Sequence, residues 1–429
     1  MNDDTPSVSP ADLQERIDRG DPVRVLDLRN RDEVDRWKLS GPAVTVTQRS
    51  NAKFVQATVT DSVDEFAGGV DGEGPIIAVC ARGEASREAA AALTEHGYDA
   101  SNLEGGMAAW ARLLTAVELP VSDADAGADA DAGADADAGA EADAGAGVGA
   151  DADTAVVQYR RPASGCLGYM VVSGDEAAVV DPLRAFTDRY VADARECGAT
   201  VETVVDTHVH ADHVSGLRDL AEAADAEAVM SAPAVERGVT YDLRTVADGD
   251  GIPVGDVTLE AVHAPGHTTG MTAFAVHGAG PAGGDESDSD VPSALLTGDS
   301  LFVGSVARPD LERGADGAAD LARDLHRTLT ERFARFGDET LVAPGHHAEG
   351  IQPGTDGAVT ARLGELRELP VFSVDADEFV EYVTADMPPR PANFERVIAI
   401  NLGREAVDED EAFELELGPN NCAATPADD

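Results

Sequence analysis

Lysine is almost missing from this chain: of 31 basic residues only Lys38 and Lys53 are lysines, set against 82 acidic residues and a formal charge of −51. A duplex nucleic-acid partner is excluded, because binding a polyphosphate needs a basic footprint. Cysteine is scarce and scattered (Cys80, Cys166, Cys197, Cys422), which excludes a disulfide framework and fits a reducing compartment. No run of about 18 apolar residues occurs, and no apolar segment follows Met1; the expectation is a cytoplasmic, unexported protein without a membrane partner. The tract from Val121 to Thr154 holds ten acids and no base, and without it the charge is still −41. Acidity is therefore spread over the folded parts, where self-repulsion works against a compact state at low salt. At molar salt the Debye length shrinks to about 3 Å, so the composition points to a halophilic, high-salt cytosol.

At 429 residues the chain is too long for one ordinary core. Residues 1–120 alternate helix and strand signals. Ser9-Pro10 reads as an N-cap with proline at N1, VRVLDL (Val23–Leu28) and PIIAVC (Pro75–Cys80) as buried strands, and Ser86–His96 as a helix stopped by Gly97. This predicts an α/β domain on a parallel sheet. Residues 121–154 are Ala/Asp/Gly repeats that cannot build a core, read as a disordered linker. Residues 155–365 predict a second α/β domain with a hairpin at Ser173–Glu176, and 366–429 a less regular C-terminal extension with an acidic tail.

Only ten histidines are present, and five fall into an ordered series. Thr207-His208-Val209-His210-Ala211-Asp212-His213 follows the strand pattern TVVD; His267 sits in APGHTTG, Asp299 in LTGDS and His346 in APGH, each after a strand. Two histidines at i and i+2 can face one ion. Asp212 and His213 can face a second position. Neutral imidazole nitrogen with carboxylate oxygen suits zinc or iron. The other histidines (His96, His263, His277, His326, His347) lack such a setting.

This order of motifs resembles the metallo-β-lactamase superfamily and implies an αββα sandwich with metal at one edge. The segments GCLGY (Gly165–Tyr169), THVHADHVSG, TGDSLF, VGSVARPDL and PPRPANFERVIAIN (Pro388–Asn401) resemble persulfide dioxygenases fused to rhodanese domains. That resemblance implies one Fe(II) on His208, His267 and Asp299, a low-molecular-weight thiol persulfide and O₂ as substrates, sulfite as product, and Arg308 beside the substrate. His210, Asp212, His213 and His346 are then a second metal position or second-shell groups. With them the same motifs fit a glyoxalase II-type thioester hydrolase with two Zn(II), an alternative that stays open.

Cys80 ends a strand and opens the loop CARGEAS before a helix, where backbone N–H groups and the helix start favour a thiolate. With DLR (Asp27–Arg29) and EGGMAAW (Glu104–Trp110) the segment resembles rhodanese. The resemblance implies a persulfide on Cys80, exchanged with a thiol persulfide or thiosulfate. It departs from the pattern where an arginine is usual: Ala85 stands there, with Arg82 as a substitute. A non-catalytic docking module is the other reading. A flexible tether between domains would raise the effective concentration of one module at the other. Neither reading fixes whether the chain forms a homo-oligomer.

Overall fold

The computed structural model describes residues 5–121, 154–278 and 292–424, apart from 349, 386 and 419. The bulk of the acidic tract, the Gly/Asp/Ser insertion after Gly278 and the last five residues, all noted from sequence, lie outside the described residues. No helix among the described residues is long and apolar enough to cross a membrane.

The first unit is a five-stranded, all-parallel sheet in the order Ser7–Val8, Ala100–Leu103, Ile76–Val79, Val23–Asp27, Val44–Gln48. Its central strands are apolar along their length because helices cover both faces, leaving no solvent face to pattern. One face packs Leu26, Ala78, Phe54 and Leu93; the other packs Val25, Ile77, Leu13 and Trp110. The helix Pro10–Asp18 begins as the sequence demands: Ser9 Oγ accepts from Asp12 N–H at 3.1 Å, with Pro10 in the first turn.

The second unit is a sandwich of two sheets. A seven-stranded sheet runs Arg244–Val246, Glu227–Ser231, Thr200–Val205, Glu176–Val180, Cys166–Ser173, Thr154–Arg161, Thr115–Glu118. A six-stranded sheet runs Gly251–Val254, Val257–His263, Thr272–His277, Ala294–Gly298, Leu341–Pro344, Ala361–Arg362. Tyr169, Val171, Val180 and Val205 of the first sheet pack on Leu259, Ala261, Phe274 and Leu296 of the second. Helices Thr187–Glu196 and Leu217–Ala224 cover one outer face, and Gly314–Arg327 with Ala376–Ala385 the other. The result is the αββα layering expected from sequence.

Two expectations are corrected. Thr115–Glu118, placed with the first domain (1–120), is the edge strand of the second domain's sheet and pairs antiparallel with Val157–Arg160. The acidic tract thus joins two neighbouring strands of one sheet and is not a tether between domains. The extension 366–429, expected to be irregular, forms helices Ala376–Ala385, Phe394–Asn401 and Glu409–Leu415. Phe379 and Val383 enter the sandwich's outer core, while Val397, Ile400, Ala412 and Leu415 close over Val214. The sequence signal was diluted because these are short helices whose apolar residues fit a partner surface rather than a long periodic stripe.

Candidate metal centre

All the histidines of the series lie at strand C-terminal ends, on one rim between the two sheets. Thr200–Val205 leads into the 207–216 loop, Val257–His263 into His267, Ala294–Gly298 into Asp299, and Leu341–Pro344 into His346. Gly298 has φ +47°, and a Cβ there would lie 2.3 Å from Met271 Cε and 2.7 Å from Thr207 Oγ1. Only glycine allows the two rims to approach this closely.

His208, His267 and Asp299 converge, fully buried, with ligand atoms within 4.8 Å of one another. Asp299 Oδ2 is 3.8 Å from His208 Nε2 and 3.6 Å from His267 Nε2. Two donors each about 2.1 Å from one ion can be at most about 4.2 Å apart, so both spacings admit a shared cation. None of these three atoms has a hydrogen-bond partner among the described residues. Three buried, unsatisfied acceptors facing each other would be costly without an ion.

The tautomers are fixed from behind. His267 Nδ1–H donates to the Arg308 carbonyl at 2.8 Å, leaving Nε2 as a lone-pair donor toward Asp299. Thr207 Oγ1–H is committed to Asp181 Oδ2 at 2.9 Å, so Thr207 Oγ1 accepts from His208 Nδ1–H, also at 2.9 Å. Asp181, with φ +51°, further accepts from Thr207 N–H at 2.7 Å. Such outer partners orient ligands and raise their basicity. Burial keeps both His208 and His267 below the usual imidazole range, despite the opposing pull of Asp299. Neutral imidazole is the form a metal requires.

The remaining motif residues are more heavily hydrogen-bonded, although Asp212 Oδ1 and His213 Nε2 are likewise buried without a partner among the described residues. His346 Nδ1 lies 2.5 Å from Asp299 Oδ1 and its Nε2 2.7 Å from Asp212 Oδ2. Burial opposes an imidazolium there, yet Asp299 and Asp212 together outweigh it and raise the His346 pKa well above normal. His213 Nδ1 is 3.0 Å from the same Asp212 Oδ2. Asp212, His213 and His346, joined by Cys166, form a second group of close ligand atoms. His210 turns Nε2 to Asp181 Oδ1 at 3.1 Å, while its Nδ1 is buried without a partner among the described residues and its ring centroid lies 4.2 Å from that of His208. Cys166, read as a packing residue, places Sγ 3.3 Å from Asp212 Oδ2; Cys422, given no context from sequence, sits with Asp299 and His346.

Arg308 is engaged with the C-terminal part of the chain. Its side chain is buried, with Nε and Nη2 on the Asp310 carboxylate (2.7 and 3.2 Å) and Nη1 on the Pro389 and Asn421 carbonyls (2.9 and 3.0 Å). Four of the five guanidinium N–H donors are thereby committed to the Asp310 carboxylate and the extension. Arg308 pins the C-terminal extension and lends its carbonyl to His267. The signal for this was the neighbouring Asp310, which a side chain two residues away can grip.

The Cys80 loop wraps its sulfur as expected. Gly83 N–H and Ser86 Oγ–H donate to Cys80 Sγ at 3.1 and 3.2 Å, at the start of the helix Glu84–Glu95. The turn Gly105–Gly106 closes against it: at Gly106, φ +61°, a Cβ would lie 2.3 Å from the Cys80 carbonyl. Arg82 is exposed at the loop and Ala85 half-buried. Ser86 is the sulfur-contacting residue that sequence reasoning missed.

The metallo-beta-lactamase superfamily model matches residues 161–346, and the rhodanese-like domain model matches residues 9–113. The chain joins a rhodanese-like domain to a metallo-β-lactamase domain. The mitochondrial persulfide dioxygenase ETHE1 of Homo sapiens is 26% identical over 260 residues, 59% of this chain and 90% of the relative. A hydroxyacylglutathione hydrolase of Synechococcus sp. (strain CC9902) is 33% identical over 173 residues, 40% of this chain and 62% of the relative. Among solved structures, a metallo-beta-lactamase from Staphylococcus aureus subsp. aureus COL superposes with a TM-score of 0.51 at 25% identity, covering 60% of this chain and 74% of that one. The metallo-β-lactamase fold implies a bound metal, and the three convergent ligand atoms fit one.

Proposed function

We propose that the metallo-β-lactamase domain oxidises a low-molecular-weight thiol persulfide with O₂, using one Fe(II) held by His208, His267 and Asp299. The observation that supports this most is the set of three buried, unpartnered ligand atoms, two histidine and one carboxylate, within 4.8 Å of one another. A metal held by two histidines and one carboxylate would have positions left for substrate sulfur and O₂ and would activate the oxygen. The balance is one persulfide, one O₂ and one water giving one thiol, one sulfite and two protons; sulfane sulfur loses four electrons and O₂ gains them. The chain's own residues orient the ligands through Thr207, Asp181 and the Arg308 carbonyl, and exclude water by burial.

In the rhodanese-like domain, Cys80 thiolate attacks the sulfane sulfur of a persulfide or thiosulfate. A new S–S bond forms on Sγ, the donor's S–S bond breaks, and a thiolate or sulfite leaves. Gly83 N–H and Ser86 Oγ–H hold the negative charge on sulfur.

A second reading is favoured by one observation: Asp212, His213 and His346 cluster beside Asp299, as a two-zinc thioester hydrolase would require. Metal content and O₂ uptake on one sample in high salt, given a thiol persulfide, separate the two. About one iron with O₂ consumed and sulfite formed is expected. Two zincs, no O₂ uptake and thioester cleavage would replace the dioxygenase reading.

A further inference from the structure

The loop carrying the HxHxDH series is held from a distant part of the chain. Asn401, the last residue of the helix Phe394–Asn401, is buried against it. Its Nδ2 donates to the His210 carbonyl at 3.0 Å and to the His213 carbonyl at 2.9 Å. Its Oδ1 accepts from Ser215 N–H at 2.9 Å. The amide orientation is forced, because two carbonyls need donors and one N–H needs an acceptor. No other side chain of similar size supplies two donors and one acceptor in this fork. Next to it, Glu416 Oε1 accepts from Val214 N–H at 3.0 Å. Residues 210, 213, 214 and 215 are thus fastened by two side chains of the C-terminal extension.

The hold continues toward the ligands. Ser215 Oγ–H donates to Asp206 Oδ1 at 2.9 Å, at the base of the same loop, one residue before the Thr207–His208 pair. The helix that presents Asn401 is itself fixed. Val397 and Ile400 pack on Val214, and upstream of it Arg390 Nε reaches Asp310, the carboxylate that also grips Arg308. The segment Pro388–Asn401, conspicuous in the sequence yet outside the ligand series, is therefore tied to the metal rim at both ends.

We infer that Asn401 is a positioning residue for the metal centre: through three hydrogen bonds to the backbone of 210–215 it fixes the loop that bears His208. This rests on the reading of His208, His267 and Asp299 as the metal-holding set. The loop's own sequence cannot supply these bonds, since its His and Asp side chains are turned to one another and to the site.

The test uses the full chain in high salt, stripped of metal and titrated with Co(II). Asn401→Ala removes all three bonds. Asn401→Asp keeps the volume and the acceptor for Ser215 N–H, but sets a carboxylate against two carbonyls. Tyr241→Phe is the control, because Tyr241 Oη–H donates to the Asn401 backbone carbonyl at 3.0 Å and not to the loop. Removing outer partners of a metal site typically costs about 10–100-fold in affinity. Both Asn401 variants are expected to weaken Co(II) binding in that range and to shift its visible spectrum, while Tyr241→Phe retains wild-type values. In the iron-loaded enzyme kcat should fall more than KM rises. If Asn401→Ala does not fold, the near-isosteric Asn401→Asp decides alone. Wild-type affinity and spectrum in Asn401→Asp, whatever happens to Tm, would overturn the inference. Weakened Co(II) binding in a protein whose iron form takes up no O₂ would leave Asn401's role standing and remove the dioxygenase reading instead.

Discussion

His267→Ala gives the sharpest test of the metal assignment when set beside His213→Ala. His267 is wholly buried, and its two ring nitrogens are divided between the Arg308 carbonyl and the space shared with His208 and Asp299. A full set of four ligands on a structural zinc is worth about 10–16 kcal/mol, or roughly 2.5–4 kcal/mol for each ligand. Losing one of three should therefore weaken metal binding by about 100- to 1,000-fold. The Arg308 carbonyl is left without its partner, which adds about 1 kcal/mol of lost stability. After dialysis against chelator-free high-salt buffer, His267→Ala should retain little metal and take up no O₂ on persulfide. His213 belongs to the second group, so His213→Ala should keep about one metal per chain and measurable O₂ uptake. The reasoning is refuted if His267→Ala keeps its metal and turnover. It is redirected to the dinuclear hydrolase if His213→Ala drops the count from two to one and thioester cleavage disappears.

Thr207→Val removes the acceptor for His208 Nδ1–H and a donor to Asp181; metal affinity should fall about 10–100-fold, read by chelator competition. Cys80→Ser should abolish thiosulfate-dependent sulfur transfer and leave O₂ uptake on an added persulfide unchanged; loss of both would argue against separate sites. Arg308→Met should act on stability rather than KM. It strands the Asp310 carboxylate, a change that costs about 3–5 kcal/mol for a buried pair, toward the lower end here because Arg390 remains. A raised KM at unchanged Tm would restore Arg308 to the substrate. Lowering the salt from molar to about 0.1 M, where the Debye length grows to about 10 Å, should lower Tm through the −51 charge; an unchanged Tm would remove the halophilic reading.

The candidate ligands were legible as a group because each sits in a short motif at a strand end, and strand ends are marked by apolar runs breaking at Gly, Pro or Asp. The sandwich was legible for the same reason. What escaped notice acts across large sequence separations: Asp181 on Thr207, Asn401 on His210 and His213, Glu416 on Val214. Each is a polar residue beside ordinary neighbours, with its partner's position set only by packing. The hydrogen bonds of Arg308 were not legible because a sequence shows that an arginine is near a site but not where its guanidinium is spent. Thr115–Glu118 was assigned to the wrong domain because four residues of alternating character carry no information about which sheet edge they complete.

That edge strand has a topological consequence. Val117 and Glu118 pair with Gln158 and Val157, so the acidic tract leaves one strand and returns to its neighbour as the connection of a hairpin. The junction between the rhodanese-like domain and the sandwich is the few residues after Trp110, braced by Arg161, whose Nε–H donates to the Ala111 carbonyl at 3.0 Å. Doubling a loop's length costs only about 0.6 kcal/mol, so such a hairpin can grow or shrink by repeat slippage with little effect on the fold. Lengthening the tract therefore costs little in chain entropy and leaves untouched the junction that sets Cys80 apart from the candidate metal centre.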